Sequence, residues 1–95
     1  MAVIPGNNNY AHLSTNATTV LRTGPGTLHS CTINKVGTTG NIVTFYDNTA
    51  GSGNVIAVLD TTNYAGTFLY DIQFLNGLTA VVGTGVAGDL TVAFQ

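Results

Sequence analysis

Hydrophobic and polar residues alternate with a period of two along several stretches of this chain. That alternation is the pattern of a β-strand with one buried face. It is clearest in residues 66–74, "GTFLYDIQF", and in residues 89–95, "DLTVAFQ". Six residues on the apolar faces of these two stretches are predicted to form the core, namely Phe68, Tyr70, Ile72, Leu90, Val92 and Phe94.

Turn-forming residues separate the alternating stretches. Gly, Asn and Pro recur at short intervals, for example in "GPG" at 24–26 and "NG" at 76–77, whereas helix formers are scarce and Glu is absent. Short strands with regular turns indicate an all-β fold, an antiparallel β-sandwich of the jelly-roll or Greek-key type. We predict about eight short strands, near residues 8–14, 17–23, 27–36, 42–47, 54–60, 67–74, 78–82 and 89–95.

A chain of 95 residues is long enough for one domain. The first ten residues, "MAVIPGNNNY", are too irregular for a core strand, so we predict an extended N-terminal arm over 1–10 and a single sandwich domain over 11–95. The arm combines apolar side chains with a proline of restricted φ, a mixture suited to ordering against a partner. Its candidate contact residues are Val3, Ile4, Pro5 and Tyr10.

Charged residues make up only 6% of the chain, against about 25% in typical soluble domains. Arg22 and Lys35 are too few and too scattered to neutralise a phosphate backbone, so we expect no nucleic-acid binding. No apolar run approaches the length of a membrane span, and the start lacks the basic and apolar regions of a secretory signal. We expect a complete chain that is made in the cytoplasm and not exported.

The strands predicted near 42–47 and 54–60 carry apolar residues on both faces. A single small sandwich buries only one face of each sheet, so we expect these strands to be covered on both sides. A surface with so few charges also suits burial against neighbours better than exposure to water. Both features favour a component of an assembly.

Asp47 begins a loop that could in principle bind a cation or a phosphate, within "FYDNTAGSGNVI" at 45–56. A calcium loop needs several oxygen ligands and a closing carboxylate, but the next carboxylate is Asp60, beyond the following strand. A phosphate loop needs a Lys and a helix N-terminus, and neither is present. The loop is therefore predicted to connect two strands, with Asp47 or Asn48 bonding nearby backbone.

Histidine and cysteine residues offer little chemistry in this chain. The spacing of His12, His29 and Cys31 matches no compact zinc motif. Ser30, His29 and Asp71 could be written as a hydrolytic triad, but Ser30 does not lie in a nucleophile-elbow sequence. Cys31 is interpreted as a small apolar strand residue. We predict no catalytic residue, no metal site, no cofactor and no enzymatic activity.

The four tyrosines, Tyr10, Tyr46, Tyr64 and Tyr70, leave sugar binding open as an alternative, because tyrosine and asparagine side chains together can line a sugar-binding face. Tyr46 and Tyr70 fall in predicted strands, where packing or hydrogen bonding at sheet edges is the simpler interpretation.

Four stretches of the chain together resemble a group of short virion proteins of tailed phages. They are "TGPGTLH" at 23–29, "TFYDNTAGSGNVIA" at 44–57, "GTFLYDIQFLNGL" at 66–78 and "GDLTVAFQ" at 88–95. The resemblance covers about residues 14–95 and includes the head decoration (cement) proteins, which are small β-sandwich proteins. The first dozen residues carry no match.

The resemblance implies a non-enzymatic structural protein on the exterior of a phage capsid. It further implies a homo-oligomer, most often a trimer, that stabilises the head by binding the shell of major capsid protein. The main alternative is a receptor- or glycan-binding module of a phage tail or tail fibre. The two classes differ in where the protein sits on the particle.

Overall fold

The computed structural model describes residues 8–95, and the regular structure of these residues is entirely β. The strands are β1 (Asn9–Leu13), β2 (Thr18–Thr23), β3 (Gly26–Lys35), β4 (Ile42–Tyr46), β5 (Val55–Asp60), β6 (Gly66–Phe74), β7 (Gly77–Val82) and β8 (Asp89–Phe94). Each lies within one residue of a predicted strand at both ends. In the described part of the chain no helix is long and apolar enough to cross a membrane.

The eight strands form two four-stranded antiparallel sheets. The first sheet has the order β1-β8-β3-β6, and the second has the order β2-β7-β4-β5. Strands β4 and β5 follow each other in the chain and pair in the same sheet. Every other pair of consecutive strands is divided between the two sheets. This arrangement of two interleaved sheets is the jelly roll. The predicted all-β sandwich is confirmed.

The core lies between the two sheets and is built from their inner faces. The three β8 residues predicted for the core, Leu90, Val92 and Phe94, are buried. From the opposite sheet, the Phe45 ring meets the edge of the Tyr70 ring with 6.3 Å between centroids. Cys31 is fully buried, and burial raises the pKa of its thiol to about 12, which keeps it in the unreactive protonated form.

The predicted core residues of β6 are less buried than those of β8. Phe68 and Tyr70 are half-buried, and Ile72 is 38% exposed, so its assignment to the core was wrong. Ile72 still lies on the inner face, because it pairs with the fully buried Leu28. The difference arises because β6 is an edge strand, whose inner side chains are covered from one side only. Phe74, at the end of the same face, is fully buried.

The sandwich begins at Asn9, two residues earlier than the predicted end of the N-terminal arm at residue 10 would allow. Asn9 and Tyr10 belong to β1, where they pair with Phe94 and Ala93 of β8. Tyr10 is therefore a strand residue on the outer side of the first sheet rather than part of an arm. The other arm residues, Val3, Ile4 and Pro5, lie outside the described residues.

The loops at one end of the sandwich are joined through a buried amide. Asn41 donates from Nδ2 to the carbonyl oxygens of Gly83 and Thr84, and its Oδ1 accepts from the Thr61 hydroxyl at 2.6 Å and from the Gly88 amide. Asn41 and Thr61 are both fully buried. The hydrogen bonds of Asn41 thus join the β3–β4, β5–β6 and β7–β8 loops. No local pattern in the sequence predicts them.

Candidate interaction surface

Strand pairing decides which residues of the second sheet point away from the core. Val43 and Phe45 are fully buried, so Ile42, Thr44 and Tyr46 between them point outward. Thr44 pairs with Val58 on one side and with Val81 on the other, which places both valines on the same outer surface. The outer surface of this sheet is therefore rich in β-branched side chains.

Four of these outer residues are exposed apolar side chains, and we call them the apolar face: Val20, Ile42, Val55 and Val58. Val58 is 61% exposed and Val55 is 53% exposed, both on the edge strand β5. The nearest charge is Asp60 at the end of β5. Its carboxylate accepts hydrogen bonds from the Thr62 hydroxyl at 2.6 Å and the Thr62 amide at 2.9 Å, and these bonds lower its pKa.

The apolar face bears on the expectation that β4 and β5 are covered on both sides. A single subunit leaves Ile42 40% and Val58 61% exposed, so covering of the outer side by a neighbouring molecule stays a prediction. The inner faces of both strands are covered by the first sheet, whereas nothing in the described chain covers these two outer side chains. An exposed apolar patch of this kind is a feature of surfaces that bind another macromolecule.

The loop 47–54 folds back over the other half of the same outer surface. The carbonyl oxygen of Asn48 accepts a hydrogen bond from the hydroxyl of the buried Thr79 at 2.7 Å. A Cβ added at Gly51 would lie 2.9 Å from Cγ2 of Val81 and 3.2 Å from Cγ2 of Thr18. The loop thus lies over Thr79 and Val81 in the β2–β7 half of the sheet, whereas Val20 on the edge strand β2 and the β4–β5 half remain exposed.

Asp47 anchors this loop to a distant turn. Its carboxylate accepts hydrogen bonds from the backbone amides of Leu75, Asn76 and Gly77, with the shortest at 2.8 Å. These bonds, led by that from Asn76, lower the pKa of Asp47. The prediction that the loop connects two strands is confirmed, because β4 pairs with β5. The bonds to residues 75–77 were not foreseen, because they depend on a turn nearly thirty residues away.

The outer surface of the first sheet is chemically different. The Asp89 carboxylate lies 2.7 Å from Nε2 of His12 and accepts from Nδ2 of Asn34, which lowers its pKa. Asn34 also donates to the Thr91 hydroxyl. We call this network the polar face, and its members are His12, Thr32, Asn34, Thr67, Asp89 and Thr91.

The structure brings together two of the three residues considered as a hydrolytic triad. Nδ1 of His29 contacts the Asp71 carboxylate, so two of the three residues do meet. Asp71 has a left-handed backbone at φ 51°, where the register between β3 and β6 shifts. Ser30 is buried, and no hydrogen bond joins its hydroxyl to His29 in the described structure. The observed pair links β3 to β6 and provides no activated nucleophile.

Metal-ligating residues do not converge in the part of the chain that the structure describes. No group of three or more His, Cys, Asp or Glu side chains lies close enough there to hold a metal ion. Cys31 faces the core, whereas His12 lies on the polar face with Asp89.

The tyrosines also do not share one surface. Tyr10 is 77% exposed on the outer side of the first sheet, whereas Tyr46 lies on the outer side of the second sheet. Tyr70 points into the core, and Tyr64 packs on Phe68 with 5.7 Å between ring centroids. The four rings therefore form no common sugar-binding platform.

No family model, curated protein or solved structure matches this chain. Its function must therefore be argued from its own residues.

Proposed function

We propose that this protein is a structural virion protein, a decoration (cement) protein that binds the exterior of a phage head. It would act as a homo-oligomer, a trimer, and its partner would be the shell of major capsid protein. The observation that carries the proposal is the apolar face, where four hydrophobic side chains are exposed on the outer surface of one sheet.

The chemistry of the apolar face suits docking onto a protein shell. Val20, Ile42, Val55 and Val58 are short and β-branched, so they lose little conformational freedom when another surface covers them. Asp60 pairs directly with Ile42, so one carboxylate adjoins the face at the end of β5, and a docked partner would have to leave it hydrated or pair it. Burial of apolar area stabilises a contact by about 25 cal/mol per Å², and a shell repeats each contact many times.

The fold and the composition agree with this proposal without deciding it. Jelly rolls occur in viral capsid proteins and in lectins, so the topology alone does not choose between docking to a capsid and binding sugars. The low charge content favours a surface that is covered in use. A cement protein needs no catalytic group. It acts through the contact area of each copy and through the number of copies on the shell.

The test compares phage particles assembled with the wild-type chain, a Val58→Ser variant and a Leu69→Ser control. Leu69 is as exposed as Val58 but lies on the outer side of the opposite sheet, so both substitutions remove a similar exposed apolar side chain. We expect Val58→Ser to lower the number of copies per head in cryo-EM maps and Leu69→Ser to leave it unchanged. Absence of the protein from purified heads would overturn the proposal.

The alternative is a receptor- or glycan-binding module of a phage tail or fibre. One observation favours it: the highly exposed Tyr10 lies two residues from His12 on the outer side of β1, beside the polar face. A tail location in the particle, together with glycan binding that Tyr10→Ala removes and Leu69→Ser retains, would support this alternative instead.

A further inference from the structure

Edge strands with free backbone groups invite pairing with another chain, and native proteins usually block them. In this sandwich the edge strands are β1, β2, β5 and β6. The register of β2 is interrupted between Val20 and Arg22, and β6 carries the left-handed Asp71 near its middle. Both irregularities work against continuous pairing along those edges.

The β1 edge pairs without a break over residues 9–13, but it carries the polar side chains of Asn9 and His12. The register of β5 shifts once, between Val55 and Ala57, and is unbroken over residues 57–60, where the sequence "AVLD" contains no charge before Asp60. Val58 in this stretch is an apolar side chain that is 61% exposed. The regular part of β5 is therefore an open and apolar edge.

The side of the sandwich next to β5 also has incompletely covered inner side chains. Strand β6 lies at the matching edge of the opposite sheet, joined to β5 by the short connection 61–65. Its inner residues Phe68 and Tyr70 are only half-buried, and Ile72 is exposed. A strand added to β5 would place alternate side chains towards these residues and complete the covering of the core on this side.

The chain contains a short segment with the composition of such a strand. Residues 2–4, "AVI", are apolar, and Val3 and Ile4 are residue types that favour strands. They are followed by Pro5, which has no backbone N–H and so ends a hydrogen-bonded ladder. This segment precedes the described residues and leads into β1.

A subunit cannot offer this segment to its own β5. A strand added outside β5 would lie four strand spacings from β1 and across the gap between the sheets, roughly 22 Å in a straight line. The five Cα–Cα steps from Ile4 to Asn9 span at most about 18 Å when fully extended, and the path must also pass around the sandwich. The edge of β5 on a second copy carries no such restriction.

We propose that residues 2–4 of one copy add as a strand to the edge of β5 in a second copy. This inference rests on the proposed homo-oligomer and specifies its contact. Backbone hydrogen bonds along 57–60 would provide the binding, and Val58 together with Ile72 would receive the alternating side chains. Each copy gives one segment and receives another, a head-to-tail contact that closes into a ring such as a trimer.

The experiment is disulfide crosslinking between full-length chains under mild oxidation. Cysteine replaces Ala2, Val3 or Ile4 in one set of variants and Val58 in another, and the two sets are mixed pairwise. The native Cys31 is fully buried and does not compete. Three positions are tried because the register of the added strand is open. Leu69→Cys, on the edge strand of the other sheet with similar exposure, is the matched control for Val58→Cys.

We expect at least one of the three pairs to give a heterodimeric crosslink with Val58→Cys and none with Leu69→Cys. A chain carrying both successful substitutions should give covalent trimers, and deletion of residues 2–4 should shift the wild-type mass from trimer to monomer. Crosslinks of Val58→Cys only with itself, accompanied by a dimer mass, would overturn the inference in favour of β5–β5 pairing. A trimer whose mass survives the deletion would overturn the inference but leave the proposed function standing, whereas a monomer under all conditions would remove the oligomer as well.

Discussion

The outer faces of the two sheets differ, although both belong to one small jelly roll with a shared core. On the first sheet, His12, Asn34 and Asp89 form hydrogen bonds across three neighbouring strands. On the second sheet, Ile42 and Val58 are exposed and belong to no hydrogen-bonded network. Tyr10 and Leu69 are exposed on the outer side of the first sheet, but they lie outside its polar network. The polar face satisfies its own hydrogen-bonding groups in water, whereas the apolar face gains free energy only when something covers it.

The comparison shows that stability and interaction are divided between different surfaces of this protein. Inner-face residues of both sheets should carry most of the folding free energy, and the polar face should add a pH-dependent part. The apolar face should contribute little to the folding of one subunit. Substitutions on each of the three surfaces test this division.

Phe94→Ala should produce the largest loss, about 3–5 kcal/mol in the free energy of unfolding, because it empties part of the core between the two sheets. Urea denaturation followed by fluorescence or circular dichroism measures it. Ile72→Ala is the control, since that side chain lies on the same inner surface but is 38% exposed, and it should cost clearly less. Equal losses for the two variants would contradict the assigned core.

Thr79→Val should destabilise the fold by about 1–3 kcal/mol, because it leaves the carbonyl oxygen of Asn48 without the hydroxyl that now bonds to it. The loss would show that the loop 47–54 is held down over half of the second sheet. Thr44→Val removes a hydroxyl from the same outer surface away from that bond, and it should change stability little. The same denaturation measurement applies to both, and a neutral Thr79→Val would mean that the loop contact contributes nothing.

Asp89→Asn should lower the melting temperature at neutral pH but not in strong acid. Hydrogen bonds from Asn34 and His12 hold the pKa of Asp89 below its usual value near 3.9, so the folded state favours the ionised form. The carboxylate therefore contributes stability above about pH 4, and this contribution is lost as the pH falls through the lowered pKa.

Melting curves of the wild type and of Asp89→Asn, recorded from about pH 7 down to about pH 2, check this prediction. The two melting temperatures should converge as the pH falls. A constant difference over the whole range would show that the side chain acts through packing and not through its charge.

Val58→Thr should have the smallest effect, within about 0.5 kcal/mol, because the substitution changes an exposed side chain to one of similar shape. The measurement is the free energy of unfolding of the monomeric protein at low concentration. A loss above about 1 kcal/mol would mean that the apolar face is already covered within a single subunit, contrary to the comparison drawn above.

Much of the fold could be read from local patterns. Alternation in residues 89–95 correctly placed Leu90, Val92 and Phe94 in the core, because a central strand such as β8 is covered along its length. The same alternation in residues 66–74 placed Ile72 in the core, and this was wrong because β6 is an edge strand. A period of two reports which side a residue faces, but burial also depends on the position of the strand in its sheet.

The candidate surface was only partly foreseeable. Apolar residues on both sides of β4 and β5 indicated that something must cover them, and the low charge content pointed the same way. The sequence could not show that the loop 47–54 covers one half of that surface and leaves Ile42 and Val58 open. It also could not show that Asp47 bonds the turn at 75–77, since nothing local relates the two segments.

The strands and the turns between them follow from local sequence, because both depend on side-chain alternation and on residues such as Gly and Asn within a few positions. The strand order β1-β8-β3-β6 and β2-β7-β4-β5, and with it the identity of the edge strands, follows from long-range packing. These features depend on contacts between residues far apart in the chain, such as Asn41 with Gly88 and His12 with Asp89. The polar and apolar faces arise at that level, because strand pairing assembles each of them from side chains on several strands.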